Sequence, residues 1–380
     1  MMNSPNFIFS RIYRYLRHRY VIKYVDNFYW KLRDIPFSSR IELLYKEDHE
    51  DQLKKYFSGT DMDFEKRTNI KYYNLIIHIL SSYVYKIHGA MVDPEYNWAI
   101  LNRRQVFKYS FPMAEDPWDY MKARPSLFGY LFRRKPLMLE KAILVKYSWS
   151  NYYHFFVDTL PQIMLCDKLG VPKDVPIIVP YNFPQIAFVQ EYFGKVNSPD
   201  RKIIIQEKNQ YIQVKELYVA KDTFFSTSVA ELHKTIPYLP YVEQQNADSP
   251  SRVFVTRTKK HKRNIRNGAE IEAIIREHGF TIVDAAEYTV AQQIKLFSNA
   301  QYIVGIHGAA MTNMLFSKCP KVSVMEIFPG KRFNPGHYSN LSAALGFEYR
   351  SIRGQELDEN MEFHLDADVF KTNIKEMLGS

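Results

Sequence analysis

From residue 142 onward the apolar positions fall into short continuous runs separated by stretches of helical spacing. The runs 142–147 (AILVKY), 175–180 (VPIIVP), 201–206 (RKIIIQ) and 214–220 read as strands. Between them 152–169 reads as a helix interrupted early by Pro161, and 184–194 as a helix ending at Gly194. The segment 237–251 is polar, with prolines at 237, 240 and 250, and marks a boundary. Beyond it the alternation restarts with strands at 252–257, 280–283, 302–306 and 322–327. Helices are predicted at 270–278 (closed by Gly279), 290–298, 309–316 and 366–378. Strands alternating with helices imply an α/β fold with parallel sheets covered on both faces, here two Rossmann-like halves facing a cleft. The first 150 residues, rich in Tyr and Phe with scattered prolines, predict helices and irregular connections. The organisation expected is a first domain over 1–240, a second over 251–350, and a helix within 351–380 packing back at their junction.

Composition narrows the class. At 380 residues the chain exceeds what one core usually serves, and 46% apolar with 15% aromatic residues excludes a disordered chain. Two cysteines, Cys166 and Cys319, cannot build a disulfide framework and fit a reducing compartment. The balance of 51 basic against 41 acidic residues, net +10, predicts attraction to polyanions. One basic stretch, residues 11–23, interleaves Arg11, Arg14, Arg17, Arg19 and Lys23 with Ile, Leu and Tyr. It reads as an amphipathic segment for an anionic membrane face, or as a basic helix with its aromatic side on the core. No apolar stretch approaches the ~20 residues of a membrane span.

Three segments carry candidate chemistry. The strand YIVGI runs into His307-Gly308-Ala309-Ala310, a turn of small residues opening a helix, so amides with partial positive charge meet the cleft and suit a diphosphate. Gly308 and Ala309 let a phosphate approach the backbone, and His307 offers a hydrogen bond. The second basic stretch, Arg257 to Arg266, follows the opening strand of the second half. If strands 252–257 and 302–306 are neighbours, Arg257 and Arg263 become a phosphate clamp. In the first half, His154 and Asp158 stand at i, i+4 on one helical face and suit general-base work. Glu326, ending a strand, is placed to accept from ribose hydroxyls. Each segment also has a plain structural reading: strand–helix packing for the Gly turn, a solvated loop or nucleic-acid patch for the basic run, and a helix-start polar pair for His154 and Asp158. A surface ion pair would equally account for Glu326. Asp61-Met-Asp63 and Asp366-Ala-Asp368 read as structural, with no obligatory metal expected.

Taken together these segments resemble glycosyltransferase family 61. The likeness rests on N-x-x-H-x-x-x-D at Asn151, His154 and Asp158, on Arg257 through Arg263 with Asn267, on AQYIVGIHGAAMTNMLF at 300–316, and on Glu326 before Pro329. It covers roughly residues 142–350, and Gly268-Ala269 stand where the family usually carries an acidic residue after the Asn. The resemblance implies a GT-B fold and inverting transfer of a sugar from a nucleotide-diphosphate donor, a UDP-sugar first, to a glycan, polysaccharide or lipid-linked acceptor, as in capsule synthesis, without an essential metal. It assigns Arg257, Arg263, Asn267, His307, Gly308, Ala309, Asn313 and Glu326 to the donor side. His154, Asp158 and Asn151 fall to the acceptor side, with Asp158 the preferred base and His154 orienting it or exchanging roles. A cytoplasmic enzyme, peripheral at the inner membrane face and without nucleic acid, is the expected setting. The alternatives are a sugar-nucleotide epimerase of the same architecture and a non-catalytic polysaccharide-assembly protein.

Overall fold

A computed structural model describes residues 31–33, 40–48, 82–96, 98–107, 110, 124–145, 149–197, 199–221, 227–257, 263–330, 336–356 and 362–379. The amphipathic segment 11–23, the Asp61/Asp63 pair, Lys259, Lys260 and Lys262, and the tail of strand 142–147 lie outside the described residues. The fold is mixed α/β, with two large sheets.

In the second sheet four strands match the sequence pattern, while the edge strand Glu348–Arg353 and the helix His337–Leu345 before it are ones the pattern does not predict. Strands Arg252–Val255, Thr281–Val283, Tyr302–Ile306, Ser323–Phe328 and Glu348–Arg353 are all parallel. Thr281–Val283 lies outside Arg252–Val255, and Tyr302–Ile306 lies on that strand's other side. The chain therefore winds one way and then the other, and it reverses between Arg252–Val255 and Tyr302–Ile306, the point where such sheets open a crevice at the strands' carboxyl ends. Side chains alternate across this sheet. Val253, Val255, Ile303 and Val324 face one core, while Phe254, Val304, Ile306, Met325 and Ile327 face another.

On the second of these faces lie helices Gly268–Glu277 and Ala367–Leu378, the latter through Phe370, Ile374 and Met377. The C-terminal helix thus completes the outer layer of the second sheet and does not return to the junction. Its apolar face matches the stripe of Ile271, Ile274 and Ile275, and Asp366 caps its start, accepting from the Val369 amide at 3.0 Å.

The first sheet departs further from expectation. Among the described residues it has nine strands, and Ile41–Glu47, Ser82–Val92, Ala99–Asn102 and Gln105–Phe107 pair antiparallel where helices and irregular chain were expected. Leu137–Leu144, Ile177–Pro180, Ile203–Gln206 and Ile212–Lys221 form a parallel block, which joins the rest through an antiparallel pairing of Ile212–Lys221 with Ser82–Val92, and at the far edge Lys31–Arg33 runs parallel to Gln105–Phe107. The first half is therefore a mixed sheet, not a second doubly wound unit. Ser82–Val92 is buried on both faces over most of its length, so its sequence shows no alternation to read.

The segment after Thr235 is also more structured than its prolines suggest. Ile236 and Val242 are buried, and Glu243 reaches Lys295 at 3.3 Å and also pairs with Lys318. One apolar cluster includes residues of both sheets and of the helices between them, among them Ile143, Phe156, Val229, Val242, Val255, Met314 and Leu341. The two halves share a core. Among the described residues no helix is long and apolar enough to cross a membrane.

Candidate active site

The pairing that the clamp required is present: Arg252 to Val255 lies parallel to Tyr302 to Gly305, so both carboxyl ends open at one place. Gly305 keeps the strands close, since a Cβ there would collide with Met311 Sδ and Val255 Cβ. Beyond Ile306 the chain turns at Gly308 into Ala309–Phe316, which forms a 3-10 helix in place of the expected α-helix. Every side chain of this helix from Met311 to Phe316 is buried. Its start leaves the first amides, at Ala309 and Ala310, outside the helical ladder.

Arg257 lies directly over this turn, because a Cβ added at Gly308 would strike its guanidinium. Arg263 comes from the other side and donates through Nη1 to the His307 carbonyl at 3.0 Å. Its backbone is left-handed, with φ of 74°, an unfavourable conformation for an arginine. Burial, followed by the neighbouring Arg263 charge, pulls Arg257 below the ordinary arginine range, and burial does the same to Arg263. Two half-buried cations side by side favour an anion between them.

His307 is 5% exposed and its Nδ1 bonds Glu326 Oε1. Glu326 is 1% exposed, and its other oxygen accepts from the Tyr349 phenol at 2.6 Å. The expected ribose role of Glu326 therefore gives way to a positioning one: both oxygens are engaged inside the protein and fix the imidazole. A carboxylate accepts, which places the proton on Nδ1. Burial lowers the His307 pKa, and the Glu326 bond opposes that only in part. The ring stacks on Phe328 with centroids 5.4 Å apart.

In the first half, Asn151 caps the turn Tyr152–His154, accepting from the His154 amide at 3.3 Å. The chain then widens into a π-turn, Phe155–Thr159, where the Leu160 amide reaches back to the Phe155 carbonyl. Pro161, just downstream, lacks an amide proton and crowds the carbonyl four residues back, which the wider turn relieves. His154 Nδ1 lies 2.5 Å from Asp158 Oδ2, so the i, i+4 pair does meet, with both side chains partly accessible.

A bridge between these two groups had no reading in the sequence. His337 and Tyr338 open the helix His337–Leu345 after Gly336. The His337 ring lies 6.3 Å from that of His154 and 6.2 Å from that of His307. Tyr338 donates to the Gly308 carbonyl at 2.6 Å, and its buried phenol is pushed far above the usual tyrosine range by desolvation. Tyr153 packs on both residues. The signal available was positional: strand Ser323–Phe328 also ends at the crevice, so the segment after it belonged to the search.

Two expected donor residues lie elsewhere. Asn313 is fully buried; its Oδ1 accepts from the Tyr152 phenol at 2.8 Å, while Nδ2 donates to Gln293 Oε1 and the Ala310 carbonyl. It fastens the two halves together. Asn267 bonds the backbone of Leu365 in both directions and Glu270, tying helix Gly268–Glu277 to the C-terminal segment. Arg266 pairs with Glu362 at 3.5 Å, also away from the turn. Among the described residues no group of three or more His, Cys, Asp or Glu gathers as a metal site.

The family model described as Glycosyltransferase 61 matches residues 152–325, a span holding the His154–Asp158 pair, the arginine loop and the His307 turn. No curated protein matches the chain.

Proposed function

From the match of residues 152–325 to the glycosyltransferase family 61 model, we propose that the chain is a glycosyltransferase that moves a sugar from a nucleotide-diphosphate donor to a glycan hydroxyl with inversion. The observation that carries this reading is the ring succession His154, His337, His307, in steps of 6.3 and 6.2 Å, which sets a proton acceptor beside a cationic turn. Inverting transfer is a single displacement. A base removes the acceptor proton as the oxygen attacks the anomeric carbon, and the leaving diphosphate gains charge.

On this reading Arg257, Arg263 and the amides of Ala309 and Ala310 receive the diphosphate, and they supply fixed positive charge where it develops. Gly308 gives the phosphates access to the backbone. His154 and Asp158 handle the proton. Because Nδ1 of His154 is tied to Asp158, its Nε2 takes the acceptor proton and the carboxylate stabilises the resulting imidazolium. That reverses the preference for Asp158 as the base. A division of labour, with residues 1–240 serving the acceptor and 251–350 the donor, is part of the same proposal.

The test begins with binding. A ligand held only by the folded state adds ~2.7 kcal/mol at about 100 times its dissociation constant. UDP should raise the melting temperature while an oligonucleotide of equal charge does not. With donor and acceptor present, the product should carry the opposite anomeric configuration by NMR, and a chelator should leave the rate unchanged. Retention of configuration, or an epimerised donor recovered in the absence of acceptor, would remove the proposal.

A further inference from the structure

Outside the cleft, one segment combines exposed apolar side chains with exposed positive charge. The short helix Leu127–Leu131, capped by Ser126, is anchored on one side by Tyr130, which is buried with Trp98, Ile100, Val106 and Tyr211. On its other side Phe128, Leu131 and Phe132, at i, i+3 and i+4, are 57%, 54% and 81% exposed. The next residues are Arg133, Arg134 and Lys135, and the strand that follows presents Met138 at 55% exposure. Arg133 is held over the Tyr130 ring at 4.3 Å, while Arg134 and Lys135 are exposed. No acidic residue occurs from Arg124 to Leu139.

We propose that the face formed by Phe128, Leu131 and Phe132 with the adjoining Arg134 and Lys135 docks on the surface of an anionic lipid bilayer. Aromatic and aliphatic side chains buried at the headgroup boundary, with cations beside them at the phosphate level, form the arrangement by which interfacial helices bind. A second copy of the chain is a poorer occupant, because a two-fold contact through this face brings Arg134 and Lys135 toward their own images. The strand Leu137–Leu144 spans about 26 Å, and the catalytic segment follows its far end. The face therefore tethers the enzyme and leaves the cleft clear of the headgroups. This inference concerns where the protein works, and its test needs neither donor nor acceptor.

The experiment is co-sedimentation of the full chain with vesicles of phosphatidylcholine alone, or mixed with phosphatidylglycerol. Binding to the mixed vesicles only is expected. The double variant Arg134→Ala/Lys135→Ala should weaken it about 30-fold, at roughly a factor of five per basic residue. Phe128→Ser/Phe132→Ser should weaken it by at least about tenfold. Both variants alter exposed positions, and an unchanged melting temperature with an unchanged circular-dichroism spectrum establishes that they fold. A Phe132→Trp variant should gain emission that brominated lipid quenches, over the wild-type background. No binding by the wild-type chain, binding that survives both double variants, or a change from dimer to monomer in those variants would each overturn the proposal, the last by assigning the face to a second copy.

Discussion

Two histidines in this molecule each hold a carboxylate through Nδ1, and their surroundings separate them. His307 with Glu326 is sealed, stacked on Phe328 and backed by Tyr349, whereas His154 with Asp158 sits on a π-turn with both partners partly accessible. The sealed pair keeps one geometry, and the accessible pair is open to proton exchange. On the proposed function, the difference divides the labour: fixed electrostatics in one half and acid–base chemistry in the other. It follows from burial: a low-dielectric site resists changes of charge, and a wet one permits them.

The sharpest way to break this comparison is at the accessible pair. His154→Ala should lower turnover by about 100- to 10,000-fold, the usual worth of a positioned base, while the UDP melting shift stays at its wild-type size. Loss of the shift as well would place His154 on the donor side. Next in size, Arg257→Ala should cut turnover by about 100- to 1000-fold with folding intact, and near-normal activity of the purified variant would refute the clamp. Gly308→Ala tests the same contact without removing the charge. The added methyl displaces the Arg257 guanidinium, the movable end of a long side chain, so donor affinity should fall by about 10- to 100-fold with little change in melting temperature.

The smallest effect concerns pH. Folded His307 resists protonation, whereas in the unfolded chain it takes a proton near 6.5. The unfolded state then binds more protons, so stability is lost as pH falls from 6.5 toward the lowered folded value. Melting temperatures compared in neutral and mildly acidic buffer should drop less steeply for His307→Gln than for wild type. Equal slopes would show that the imidazole is not sealed.

Much of the second half was legible before any coordinates. The runs at 252–255, 302–306 and 323–328 are continuous and apolar, as strands covered on both faces must be, and the rule that ligands gather at carboxyl ends located Arg257, Arg263 and His307. The i, i+4 spacing alone foretold the meeting of His154 with Asp158. Other residues misled for a physical reason. Asn313 and Glu326 carry the polar groups a ligand would want, but such groups also satisfy one another inside a fold, and spacing cannot tell which use a buried amide or carboxylate serves. His337 lies 183 positions from His154, outside the reach of any local pattern.

The amino-acid sequence determined the α/β character of the chain, four of the five described strands of the parallel sheet and the chemical identity of the cationic turn, because all three depend on short-range periodicity and residue type. Only the tertiary structure decided that the first sheet is mixed, that both halves share one core, that Glu326 serves His307, and that His337 stands between two distant histidines. Those outcomes depend on which surfaces bury one another, a free-energy balance summed over contacts far apart in the chain.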